Sequence, residues 1–147
     1  MPVALIRLAI AVTMAASMAA SERTPDISGT WLFDAKRSTQ TRGALIIGGR
    51  LPCVIVHSAT AVTTGDRFKH RYPFGAKGAV VSGSSGRERR FARIEGSRVV
   101  TVTQYLDPPV GPAEERDTWW LSDTDTLVRD VRTRTGASVR VVYVRKR

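Results

Sequence analysis

The feature that most constrains this chain is the alternation of apolar and polar residues in short runs rich in valine, isoleucine and threonine. A period of two residues places alternate side chains on opposite faces of a β-strand, whereas an amphipathic helix requires a period near 3.6. Helical periodicity is scarce beyond residue 19, so the pattern predicts an all-β chain. The predicted strands are 27–33, 52–57, 59–63, 67–72, 79–82, 87–95, 98–106, 115–122, 126–135 and 138–145.

Turn-forming sequences separate these runs and predict hairpins between consecutive strands. Three prolines exclude the segment 107–112 from a central strand, because proline lacks the N–H that a sheet requires, and they predict a longer loop there. Asp34 is a candidate cap for a short turn after the first strand. About eight to ten short, twisted strands would leave two exposed edges, so we predict an antiparallel up-and-down meander closed into a β-barrel.

The first 19 residues have the features of a secretory signal peptide. Arg7 precedes an apolar run at 8–18, and Ser17 and Ala19 are small residues at the −3 and −1 positions. The run is shorter than the roughly 20 residues that a membrane-spanning helix needs. We therefore expect a leader at 1–19, one barrel domain at 20–147, a periplasmic or secreted location and no membrane-spanning segment.

The chain is strongly basic, with 23 Lys and Arg against 13 Asp and Glu and a net charge of +10. This charge favours an anionic envelope surface as a partner, although a role in solubility explains it equally well. Export argues against a nucleic-acid partner. Cys53 is the only cysteine, which excludes an intramolecular disulfide, and no metal-ligand spacing or nucleotide-binding motif is present. We therefore expect no metal and no cofactor.

The run at 67–72 separates basic residues on one face from Phe68, His70 and Tyr72 on the other. Since the basic face must contact water, these three side chains are predicted to point into the barrel. His70 then has three open interpretations: a proton acceptor, a partner for a ligand, or an interior polar group with its hydrogen bonds satisfied.

Two further aromatic residues extend this set. Trp119 and Trp120 lie on opposite faces of their strand, so one of them lines the interior, and Tyr105 is another candidate for the lining. The combined set predicts an interior site for a small apolar or aromatic molecule, and ordinary core packing explains the same residues equally well. The predicted ligand-binding residues are Phe68, His70, Tyr72, Tyr105 and Trp119.

Two other functions remain open. An isomerase or cyclase would use His70 and Tyr72 as acid and base, with an acidic residue near 114–117 as a partner. A surface-interaction module would instead use the basic exterior to hold an anionic envelope. The sequence leaves open whether the chain is an enzyme.

Ordered motifs across the chain resemble a family of exported bacterial lipocalin-like barrels. They are Ser-Gly-Thr-Trp at 28–31, followed by Asp34 and Lys-Arg-Ser at 36–38, then Tyr-Pro-Phe at 72–74, Ala-Arg-Ile-Glu-Gly at 92–96, Thr-Trp-Trp-Leu-Ser at 118–122 and Val-Tyr-Val-Arg-Lys at 142–146. The resemblance implies that Trp31 plugs the closed end of the barrel under an arginine near the last strand, either Arg140 or Arg145. It also implies that Trp119 is the interior tryptophan.

Overall fold

A computed structural model of the chain describes residues 25–39, 52–65 and 67–147. The predicted leader at 1–19 lies outside these residues. The described chain confirms the all-β prediction with ten strands: β1 (Gly29–Phe33), β2 (Cys53–His57), β3 (Ala61–Gly65), β4 (Lys69–Pro73), β5 (Ala79–Gly83), β6 (Gly86–Glu95), β7 (Arg98–Tyr105), β8 (Ala113–Asp123), β9 (Thr126–Arg132) and β10 (Ser138–Arg145). Within the described ranges, no helix has the length and apolarity needed to cross a membrane.

All ten strands form one antiparallel sheet in the order β4-β3-β2-β1-β10-β9-β8-β7-β6-β5. The sheet curls until β4 meets β6, where Phe74 forms a bridge with Ala92 and the Gly75 N–H donates to the Ala92 carbonyl at 3.2 Å. The Tyr72 hydroxyl lies 3.4 Å from Thr103 Oγ1 on β7. These contacts bring β4 against β6 and β7, whereas β5 forms the other edge of the sheet, and they confirm a nearly closed barrel.

Most predicted strand bounds differ from the structure by one to three residues, and three of them differ because turns take up residues that we assigned to strands. Ser58 Oγ accepts from the Ala61 N–H at 3.1 Å and forms a tight turn, so β3 begins at Ala61 and not at 59. The predicted strand at 126–135 ends at Arg132, since the Thr133 N–H donates to the Ala137 carbonyl at 2.9 Å. Likewise β4 begins at Lys69, two residues later than predicted.

The predicted turn after the first strand is present. Asp34 Oδ1 accepts from the N–H groups of Lys36 and Arg37 at 3.0 and 3.2 Å, and the Ser38 N–H donates to the Asp34 carbonyl at 3.1 Å. An aspartate at this position satisfies donors that would otherwise lack a partner.

Trp31 and Ile27, both fully buried, fill one end of the barrel. The Arg145 guanidinium lies 4.3 Å from the Trp31 ring centre and donates to the Ser28 carbonyl at 3.2 Å. A Cβ at Gly29, which has a φ of +151°, would stand 2.8 Å from Arg145 Nη1. Gly29 therefore leaves the space in which the guanidinium covers the indole, a favourable cation–π arrangement.

Of the two arginines that the resemblance implied for this role, only Arg145 is in position. Arg140 alternates to the outer face of β10, where it pairs with Asp130 at 2.7 Å and lies 5.4 Å from the Trp120 ring. The reason is the period of two: Arg140 is five residues from Arg145, and an odd separation places the two side chains on opposite faces.

We expect Trp31→Ala to lower the free energy of unfolding by about 3–5 kcal/mol, because it removes a large buried side chain and leaves a cavity at the closed end. Urea unfolding followed by far-ultraviolet circular dichroism measures this change.

The matched control is Val56→Thr, an isosteric change at an outward position on β2 that is 55% exposed. It should change stability by less than about 0.5 kcal/mol. A Trp31→Ala variant as stable as this control would contradict the assignment of Trp31 as the end plug.

Candidate functional site

The barrel end opposite Trp31 is formed by the ends of β1, β3, β7 and β9 and by the beginnings of β2, β4, β8 and β10. Several inward-facing side chains near this end are half-buried, whereas Trp31 and Ile27 are fully buried. We call this end the mouth, and these half-buried inward residues are Phe33, His70, Tyr105 and Glu115. Thr64, Val131 and Val139 lie near the same end and are buried.

Phe68, predicted to point inward, lies in the turn between β3 and β4 and is 73% exposed. The prediction was wrong because the strand begins at Lys69, so the alternation within β4 does not extend to Phe68. His70 and Tyr72 do share the inner face of β4, opposite Thr64 and Val62 of β3. The structure therefore places four of the five predicted lining residues, His70, Tyr72, Tyr105 and Trp119, on the inner face and excludes Phe68.

A polar cluster occupies the middle of the barrel interior. Asp117 is buried, and its Oδ2 accepts from Arg129 Nε at 3.1 Å and from Arg129 Nη2 at 2.6 Å. Asp117 Oδ1 is also buried and has no hydrogen-bond partner among the described residues. The Arg129 guanidinium lies 4.7 Å from the Trp119 ring centre, and Trp119 Nε1 donates to Thr101 Oγ1 at 3.0 Å. We call Asp117, Arg129, Trp119 and Thr101 the interior polar cluster.

A second buried ion pair lies on the β6 wall. Arg90 Nη2 lies 2.6 Å from Glu88 Oε2, and both side chains are nearly covered. Each interior arginine is thus held by a carboxylate. Glu115, two residues nearer the mouth than Asp117, adds a further inward carboxylate.

Burial changes the protonation of the groups around this cluster. It raises the pKa of Tyr105 to about 12, with Glu115 and Glu88 adding to the effect. Burial also raises the pKa of Tyr72. Their hydroxyls consequently stay protonated at neutral pH and are available as hydrogen-bond donors.

The pKa values of Arg129 and Glu115 are raised for different reasons. Burial alone would lower the pKa of Arg129, but the Asp117 carboxylate and then Tyr143 outweigh it and leave the pKa raised. The pKa of Glu115 is raised by burial first and by the Asp117 carboxylate second. Arg129 therefore remains charged, whereas Glu115 holds its proton more tightly than an exposed glutamate does.

The two histidines are far apart in the barrel. His70 is at the mouth, whereas His57 lies near the closed end with its ring 5.5 Å from Phe74 and with Nδ1 buried. No cluster of three or more His, Cys, Asp or Glu suited to a metal ion occurs among the residues that the structure describes.

Sequence reasoning offered Asp117 only as one of the acidic candidates at 114–117, and it missed the interior position of Arg129. Asp117 and Trp119 are two residues apart on β8, so the alternation that places Trp119 inside also places Asp117 there. The register pairs Trp119 with Arg129 on β9, which brings the guanidinium to the same face. The sequence shows the spacing on β8, but the pairing with β9 comes only from the folded sheet.

The outer wall carries a separate basic groove. A cavity of about 430 Å³ lies on the outer face of β8, β9 and β10. Beside it, Trp120 is flanked by Arg98 and Arg140, whose guanidinium carbons lie 4.7 and 5.4 Å from its ring centre. Polar residues that line this outer groove are Arg116, Thr118, Asp130, Arg132, Ser138 and Arg140.

The sequence matches no protein-family model and no curated protein. Solved structures share the fold. The apo form of lipid binding protein 8 from Caenorhabditis elegans superposes with a TM-score of 0.57 at 14% identity, covering 81% of this chain and 94% of that protein. Secretory abundant heat soluble protein 4 from Ramazzottius varieornatus superposes with a TM-score of 0.54 at 13% identity, covering 82% and 94%. At this identity the likeness establishes a common barrel architecture.

Glu115→Gln should raise the urea midpoint at pH 7. A carboxyl whose pKa is raised in the folded state contributes nothing while it is protonated in both states and opposes folding once it ionises, so Glu115 costs stability as the pH rises above its ordinary value of 4.5. The gain should shrink as the pH falls through 4.5 and vanish where both states are protonated. Urea midpoints between pH 3 and 8 measure it.

Glu114→Gln is the control, since Glu114 lies on the outer face of the same strand, 3.5 Å from Arg116. This variant should not gain stability at pH 7. If Glu115→Gln is no more stable than the wild type at pH 7, Glu115 is not desolvated as described.

Proposed function

We propose that the protein is an exported carrier that binds a small apolar molecule, aliphatic or aromatic, inside the barrel. The observation that carries the proposal is the interior polar cluster, above all the buried Asp117 oxygen without a partner. A fold selected for stability alone would fill this position with apolar side chains, because buried ion pairs seldom exceed hydrophobic packing in stability. Polar groups converging in a concave interior are typical of a ligand site.

The geometry around the cluster supports entry from the mouth. Phe33 and Tyr105 provide aromatic surface there, and each retains some exposure. Below them, Trp119 is only 1% exposed, and its ring stacks on Tyr143 at 6.5 Å between centres. A ligand would place its body along the mouth residues and a polar group against the cluster. The solved relative named as a lipid binding protein has the same barrel.

A second candidate function is attachment to an anionic envelope surface through the outer groove. Arg98 and Arg132 have no carboxylate within ion-pair distance among the described residues, although Arg116 and Arg140 are paired with Glu114 and Asp130. Basic side chains near a membrane of anionic lipids contribute about 1 kcal/mol each to binding. This function uses the outer wall and is compatible with an interior ligand.

Titration with 1-decanol should produce a saturable change in tryptophan fluorescence, because a bound molecule alters the surroundings of Trp119. Trp119→Phe should remove the change while native mass spectrometry still detects the complex. Trp120→Phe, which alters the outer tryptophan, should keep the change. Absence of any complex with alkyl or aromatic probes at millimolar concentration would contradict the carrier function.

Vesicles containing phosphatidylglycerol should bind the protein at low salt and release it near 0.5 M salt, where the screening length is only about 4 Å. An Arg98→Gln, Arg132→Gln double variant should lose about 2 kcal/mol, roughly thirtyfold in the partition coefficient. A Lys69→Gln, Arg71→Gln variant removes the same charge from the exposed face of β4 and serves as the control. Equal binding to phosphatidylcholine vesicles would contradict this function.

A further inference from the structure

We infer that the interior site accepts a ligand with a hydrogen-bond donor at its polar end, a hydroxyl or an ammonium group, which binds Asp117 Oδ1, and that it discriminates against a carboxylate. This inference rests on the proposed carrier function and specifies the class of its ligand.

The first step concerns the buried carboxylate. Asp117 is 6% exposed, and both hydrogen bonds that it receives from Arg129 go to Oδ2. Oδ1 has no partner among the described residues. A buried charged acceptor without a donor is costly, so a ligand that supplies an O–H or N–H gains the free energy of satisfying it.

The second step concerns the interior arginines. A carboxylate ligand would need a guanidinium with free hydrogen-bonding capacity, but Arg129 is engaged by Asp117 and Arg90 by Glu88. Breaking either pair would leave a buried charge uncompensated, which is strongly unfavourable. The two arginines therefore do not form an open site for an anion.

The third step concerns the balance of charge along the path from the mouth. Asp117 and Glu88 neutralise the two interior arginines, and Glu115 stands as an additional carboxyl between Asp117 and the mouth. Arg134 is exposed at the rim, with its guanidinium carbon 5.8 Å from the Tyr105 ring centre. An anionic head group that passes this rim is repelled by the carboxylates, whereas a hydroxyl or ammonium group donates a hydrogen bond to them.

The fourth step concerns depth. Along the inner face of β8, Glu115 is half-buried, Asp117 is 6% exposed and Trp119 is 1% exposed. Asp117 is therefore the last acceptor on this strand before the packed core begins. A ligand entering from the mouth brings its polar end against Asp117 and leaves its apolar part between Phe33 and Tyr105.

The test compares 1-decanol, decylamine and decanoate, three probes with the same chain and different head groups, by isothermal titration calorimetry at pH 7.5. We expect the alcohol and the amine to bind at least tenfold more tightly than the acid. Asp117→Asn should reduce this preference to less than threefold, because the amide carries no charge. Glu114→Gln, on the outer face of the same strand, should leave the order unchanged.

The outcomes separate the two proposals. If decanoate binds as tightly as the other two probes or more tightly, the inference about the head group is overturned while the carrier function stands. If no probe binds, both are overturned. Should Asp117→Asn fail to fold, the order of the three affinities in the wild-type protein still decides the matter.

Discussion

A single β-sheet with one apolar face has no second layer to cover it, and this constraint shapes the rest of the structure. The sheet solves it by curling until the inner faces of opposite strands contact one another. Tyr72 on β4 contacts Thr103 on β7, and Phe74, which follows β4, contacts Ala92 on β6. In the strand order, β4 is next to neither β6 nor β7. Closure thus replaces the missing layer and places the β4 edge against β6.

Closure makes the two ends of the barrel different. Trp31 fills the closed end of the barrel. Arg145 covers its ring because Gly29 leaves room for the guanidinium. Further along the interior, the apolar packing gives way to the interior polar cluster. Charges buried there must be paired to be tolerated, and the Asp117–Arg129 and Glu88–Arg90 contacts meet that requirement. Asp117 Oδ1, the buried oxygen left without a partner among the described residues, is therefore the most informative atom of this cluster.

The same alternation separates the charges of the wall into two groups. The inward arginines Arg90 and Arg129 are paired with buried carboxylates, so they add little to the field outside. Outward arginines, such as Arg98 and Arg140 around Trp120, generate the basic exterior that accompanies the net charge of +10. Consequently the strong positive charge of this chain says little about its interior ligand. The interior site and the outer groove are chemically distinct.

The sequence by itself predicted ten strands in an antiparallel meander and the face of most residues, because a period of two and local turn chemistry are properties of short segments. It did not predict that β4 and β5, which are consecutive in the chain, stand at the two ends of the strand order. The alternation placed His70 and Tyr72 inward, but it left Trp119 and Trp120 open, and only the family resemblance favoured Trp119. The prediction failed for Phe68, because the strand begins only at Lys69 and the alternation does not extend to Phe68. Only the tertiary structure decided that Arg145 covers Trp31 and that Arg129 meets Asp117. Those pairs depend on register between strands distant in sequence, and register is set by the closing of the whole sheet.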